Sequence, residues 1–197
     1  MARTQQQRRE ATVAQLLDAG IATIIEVGYA RASAKTIARR AGVSDGALFR
    51  HFDTMGDFMA ATAHEALRRQ LDAFAKRVAE IPDNQPALAA VLEVLRDITR
   101  SPTNTVLYEL LIAARTDDKL RTTLQDVLAE YTAKIYDTAR GLPGADRVPS
   151  DILPALVSLM TTTFDGSALV RAVLPESDLD AQQIPLLLSL LGGISRG

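Results

Sequence analysis

The chain contains no cysteine, which excludes disulfides, thiol nucleophiles and cysteine-ligated zinc. Its two histidines, His51 and His64, are too far apart for a helical pair of metal ligands, so no metal or cofactor site is expected. There is no glycine-rich phosphate loop and no carboxylate cluster, and Thr161-Thr162-Thr163 lies opposite no evident base; enzymatic activity is not expected. No segment alternates apolar and polar residues with a period of two, so strands are not expected either. No uninterrupted apolar run reaches the about 18 residues that cross a bilayer. The opening MARTQQQRRE lacks the apolar core and cleavage signal of a secretion leader. The expectation is a cytoplasmic, all-α protein with no membrane partner.

A chain of 197 residues at 47% hydrophobic content can bury one sizeable core or two small units sharing one. The formal net charge of −2 hides a split. Residues 1–52 carry eight Lys and Arg against four Asp and Glu, a formal +4, and residues 53–197 carry fourteen against twenty, a formal −6. A basic front end on an acidic body suits a protein whose first segment meets phosphate. Arg3, Arg8 and Arg9 form a small basic arm within a polar, mobile start, read either as a solubilising tail or as phosphate contacts.

Helical periodicity begins near Arg9 and carries Val13, Leu16, Leu17, Ile21, Ile24 and Ile25 to Gly28. Two short helical patterns follow in AKTIARRAGVSDGALFRHF, residues 34–52, broken at Gly42-Val43-Ser44. Ser33 and Ser44 are placed to cap the two helices, and Gly42 to make the turn. Ile37, Ala38, Ala41, Val43, Leu48 and Phe52 are expected inside, with Asp45, Gly46, Ala47 and Arg50 facing out. This is a helix-turn-helix pattern, which alone serves equally as a structural hairpin or as a DNA reader. It divides the chain into residues 1–52, the helix-turn-helix, and 53–197, the body.

Further helices are expected over about 54–79, 86–100, 101–114, 117–140, 153–173 and 180–191, about nine in all. The last two are apolar around much of their circumference, more than a short chain buries within itself. A homodimer interface is therefore expected through Leu156, Val157, Met160, Phe164, Leu169, Val173, Leu187, Leu188 and Leu191. Two reading heads related by a two-fold axis would read palindromic double-stranded DNA.

Residues 16–33, LLDAGIATIIEVGYARAS, together with residues 34–52 resemble the TetR family of bacterial transcriptional regulators. Gly28-Tyr29, Ile37-Ala38, Ala41-Gly42-Val43-Ser44, Gly46 and His51-Phe52 fall where that family has them. The resemblance implies a homodimeric, ligand-responsive DNA-binding regulator, most simply a repressor. It implies DNA contacts at Ser33, Lys35, Arg39, Ser44, Asp45, Gly46, Ala47, Phe49, Arg50 and His51. Arg50 is the long cationic donor of the reading segment, suited to a guanine edge or a phosphate, and Ala47 is suited to a thymine methyl. Three departures would reduce phosphate contact: Phe49 where the family usually has Tyr, Met55 where Lys is common, and the acid Asp45. Their extreme reading is a ligand-binding or protein-interaction module of the same fold with lost DNA affinity.

The resemblance also implies an effector pocket in the body. Its polar candidates are Tyr108, Glu109, Arg115, Thr161, Thr162, Thr163 and Asp165, and its apolar candidates Phe74, Leu92, Leu95, Leu111, Met160 and Phe164. That lining favours a small hydrophobic effector.

Overall fold

A computed structural model describes residues 4–44, 46–82, 85, 87–142, 145, 148–174 and 178–194, without the side chains of 178–181 and 191–194. Among them are eight α-helices and no strand: α1 Gln5–Val27, α2 Ala34–Ala41, α3 Met55–Ala79, α4 Ala87–Thr99, α5 Pro102–Ala114, α6 Asp118–Arg140, α7 Leu153–Arg171 and α8 Asp178–Ile194. The chain divides into two compact units, residues 1–69 with 102–131, and residues 70–101 with 132–197.

The first unit is organised around α1. Thr4 accepts the Gln7 N–H, and the Gln7 side chain accepts the Thr4 N–H. This reciprocal cap starts α1 four residues earlier than the apolar periodicity implies. Arg8 and Arg9 therefore lie on a helix and not on a mobile arm, while Arg3 falls outside the described residues. Leu16, Ile21 and Ile24 pack with Ile37 of α2, Phe58 and Met59 of α3, Val106 and Leu110 of α5, and Leu120 and Leu124 of α6. Gly20 permits a close crossing here, because a Cβ at that position would lie 2.8 Å from Phe58 Cζ. The expected three-helix front end is thus too small to hold its own core, and α3, α5 and the start of α6 complete it.

Thr54 and Asp57 form a second reciprocal cap at the start of α3, with Thr54 Oγ1 accepting the Asp57 N–H at 3.1 Å and Asp57 accepting the Thr54 N–H at 3.0 Å. Further along, Glu65 accepts from Arg68 at 2.8 Å and from Arg69 at 2.7 Å, and Arg69 also pairs with Asp18 of α1. The two guanidiniums hold the Glu65 carboxyl down to about 2, against the ordinary 4.5. A depressed carboxylate stabilises the fold above its unfolded value and loses that contribution as pH falls through its folded value. Wild type should therefore lose stability between about pH 4.5 and 2 relative to Glu65→Gln. At neutral pH the difference should be about 1 kcal/mol, because solvent screens the outer edge of the network. Urea unfolding of both proteins at pH 7 and pH 3 measures it.

The second unit packs Leu92 of α4, Met160 and Phe164 of α7 and Ile184 of α8 into one cluster, flanked by Leu95, Leu156, Leu187 and Leu188. Pro154 sits in the first turn of α7, where a missing N–H is harmless. Pro185 lies inside α8, which begins at Asp178, two residues earlier than expected, and so deprives the carbonyl four residues back of its partner. By length and composition alone α7 would cross a bilayer, although Asp165 interrupts its apolar run. In the folded unit its Met160 and Phe164 side chains are buried against α4 and α8.

Candidate nucleic-acid interface

The segment from Ser33 to Phe52 is built from its local hydrogen bonds. Ser33 Oγ accepts the Thr36 N–H at 3.2 Å and so caps α2. At the other end Gly42 adopts a left-handed conformation at φ 69°, with its N–H on the Arg39 carbonyl and the Val43 N–H on the Ala38 carbonyl. That closed turn satisfies two carbonyls at the end of α2 and sends the chain back across its face.

The reading segment itself is tighter than the expected two-turn helix. Ala47 N–H bonds the Ser44 carbonyl at 2.8 Å, Arg50 that of Ala47 at 3.2 Å and His51 that of Leu48 at 3.0 Å, giving a 3-10 turn over Leu48–Arg50. Ser, Asp and Gly in succession are poor helix formers, which favours such turns. Leu48 is fully buried and anchors the turn, and the Phe52 and Phe58 rings pack edge to face at 5.1 Å between centroids.

The predicted contact residues divide accordingly. Ser33, Lys35, Arg39, Ser44, Gly46, Phe49 and Arg50 are exposed or half-exposed on this surface, apart from the Ser33 side that caps α2. Ala47 is not: at 7% exposure it packs beside Leu48, because the tighter turn rotates it inward, and the expectation that it touches a thymine methyl is corrected. His51 is half-buried, with its Nδ1 buried and without a partner. Asp45 lies outside the described residues. Ser44 does not act through its expected side-chain cap; its hydroxyl accepts from Arg50 Nη2 at 3.0 Å. That tether orients the guanidinium and leaves its other donors open. Arg40 pairs with Glu26 of α1, so its charge is largely compensated, whereas among the described residues no acid pairs with Lys35 or Arg39.

One support was invisible in the sequence. Gly28 ends α1 at φ 80°, and a carboxylate oxygen of Glu109, on α5, accepts the Tyr29 N–H at 3.0 Å. Glu109 thus ties the α1–α2 corner to α5, a structural role. Beside it, burial and then the Asp117 carboxylate raise the Tyr29 hydroxyl above its usual range. Glu109→Ala should cost about 2 kcal/mol in thermal or urea unfolding by orphaning a partly buried N–H, and Glu109→Gln, which keeps an acceptor, should cost less.

The effector candidates fall in both units: Tyr108, Leu111 and Arg115 in the first, and Phe74, Leu92, Leu95, Met160, Thr161, Phe164 and Asp165 in the second. Tyr108 Oη accepts from Asn104. The Thr161, Thr162 and Thr163 hydroxyls each donate to carbonyls of α7 itself, which occupies their hydrogens. A cleft of about 560 Å³ in the second unit is lined by Tyr136, Arg140, Ala145, Val148, Pro149, Ser150, Leu153 and Pro154, none of them an effector candidate.

The outer faces of α7 and α8 differ from expectation by a rotation. Phe164, 1% exposed, and Met160 already lie in the core of their own unit and have little surface to offer a second chain. The apolar side chains that α7 and α8 expose are Leu159, Leu169, Val170, Leu186 and Leu190, with Val173 exposed just past α7, while Leu156, Val157, Leu187 and Leu188 are half-buried. The Leu191 side chain lies outside the described residues. At 3.6 residues per turn Leu159 and Val170 fall close to one line along α7, about a third of a turn from Met160 and Phe164, so a helix that looks apolar all round has a buried and an exposed side.

Residues 16–62 match the pattern of the bacterial regulatory proteins of the tetR family. An uncharacterized HTH-type transcriptional regulator of Mycobacterium tuberculosis is 66% identical over 191 residues, 97% of this chain and 98% of the relative. The chain belongs to the tetR family. Its relatives are transcriptional regulators, a non-enzymatic role. The fold agrees with solved structures. The fatty acid degradation regulator FadR from Bacillus halodurans aligns with a TM-score of 0.66 at 22% identity, covering 93% of this chain and 96% of that one. The multidrug binding protein EbrR, complexed with imidazole, aligns at 0.64 and 22%, covering 90% and 93%. As a tetR-family protein the chain is a DNA-binding transcriptional regulator of the helix-turn-helix type.

Proposed function

We propose that this tetR-family regulator acts in the bacterial cytoplasm as a homodimeric repressor that binds a palindromic operator and is released by a small hydrophobic effector. In this reading residues 1–52 meet DNA and residues 53–197 bind the effector and the second subunit. The observation that carries it is the capped α2-turn surface, where Lys35 and Arg39 stand outward beside the tethered Arg50. Outward cations without acidic partners are what phosphate neutralisation requires.

Support for the dimer comes from the apolar side chains that α7 and α8 leave exposed, Leu159, Leu169, Val170, Leu186 and Leu190, and from Val173 just past α7, 82% exposed. Such a surface is costly in water and self-complementary across a two-fold axis. Support for a hydrophobic effector comes from the apolar composition of the second unit and from the printed descriptions of FadR and EbrR, a fatty acid degradation regulator and a multidrug binding protein. The effector would act by changing the spacing of the two reading heads.

Fluorescence anisotropy on the palindromic region upstream of the protein's own gene, at low and physiological salt, tests this function. Tight, salt-dependent binding that long-chain acids or aromatic cations reverse supports the reading. Equal, weak binding to that region and to scrambled duplex would instead favour a ligand-binding module that has lost its operator.

A further inference from the structure

We infer that Phe49 is a specificity residue that reads thymine through its C5-methyl group, a role that rests on the operator-binding reading above. The sequence points first to Ala47 for that contact, but Ala47 is buried beside Leu48. The apolar group that the 3-10 turn presents outward is the Phe49 ring, 52% exposed between the buried Leu48 and the exposed Arg50.

The chemistry narrows what the ring meets. Phe49 has no hydroxyl to donate to a phosphate, and an uncharged ring pressed on a phosphate would strip water from the anion without replacing the hydrogen bonds it held. In the major groove the apolar group offered by a base edge is the thymine methyl, and phenylalanine is one of the side chains that contacts it. The surroundings permit the approach. Gly46, in the same segment, has nothing within 4 Å of where a Cβ would stand, so the backbone there is open. The adjacent Arg50 is held by Ser44 and keeps donors for a neighbouring base edge. Phe49 and Arg50 together would favour a step pairing thymine with an adjacent guanine.

The test uses the full-length protein and the duplex it selects from a random pool. Each thymine of that duplex is replaced in turn by uracil, which removes only the methyl. Wild type is expected to lose about fourfold in affinity at one thymine per half-site, the effect of one buried methyl. Phe49→Ala is expected to bind the thymine duplex more weakly and to show no further loss with uracil there. Phe49→Tyr keeps the ring and should keep the sensitivity. Because Phe49 is exposed, the variants should fold as wild type does, which circular dichroism verifies. Uracil sensitivity that persists unchanged in Phe49→Ala, or a Phe49→Ala loss equal on all duplexes, overturns the inference and places the ring on the sugar-phosphate backbone. A wild-type protein that selects no duplex overturns the operator reading itself.

Discussion

Phe58→Ala should lower the free energy of unfolding by about 4 kcal/mol, the scale of deleting a fully buried aromatic side chain. Phe58 is 0% exposed, and its ring meets Gly20 of α1, the Phe52 ring behind the reading turn, and the core shared with α5 and α6. The ring is the common packing partner of all three, so little collapse is available to reduce the cavity. Urea unfolding followed by circular dichroism gives the magnitude. Operator affinity should fall with it, since Phe52 and Leu48 fix the reading turn on that core. A drop under 1 kcal/mol would mean that the helix-turn-helix segment does not depend on α3 for its packing.

The second large effect concerns charge. Lys35→Ala combined with Arg39→Ala should flatten the dependence of log K on log salt by about 0.9 for each phosphate no longer neutralised, and so by about 1.8 per reading head. The contrasting variant is Glu26→Ala with Arg40→Ala, which removes a paired cation together with its acid. Its salt slope should match wild type. The logic is local: a guanidinium whose charge is already compensated releases few counterions when DNA arrives, whereas an uncompensated lysine or arginine exchanges its surroundings for a phosphate. Equal slopes in all three proteins would remove Lys35 and Arg39 from the interface.

Much of this surface is legible in the sequence because it is local. Ser33 and Gly42 announce the ends of α2 through side-chain chemistry and backbone freedom that act within four residues. The cap made by Thr4 and Gln7 is equally local, but it lies ahead of the apolar periodicity that marks α1. Ala47 escapes helical spacing because its segment closes by tighter three-residue bonds, which turn a different face outward. Glu109 on the Tyr29 N–H joins residues 80 apart in the chain, and no periodicity or spacing signals such a contact. Nor could composition show that α7 turns Phe164 inward and Val170 outward, because both are apolar and only packing separates them. The local rules therefore locate the reading surface, and the tertiary contacts decide which of its side chains remain available.

The most direct test of the central claim is selection of duplexes from a random pool by the full-length protein at physiological salt, followed by sequencing. Enrichment of a palindrome whose two half-sites lie about 34 Å apart, or a multiple of that, is expected, as a two-fold pair of reading heads requires. A pool that stays random, or one that enriches a single half-site without its symmetric partner, would contradict it.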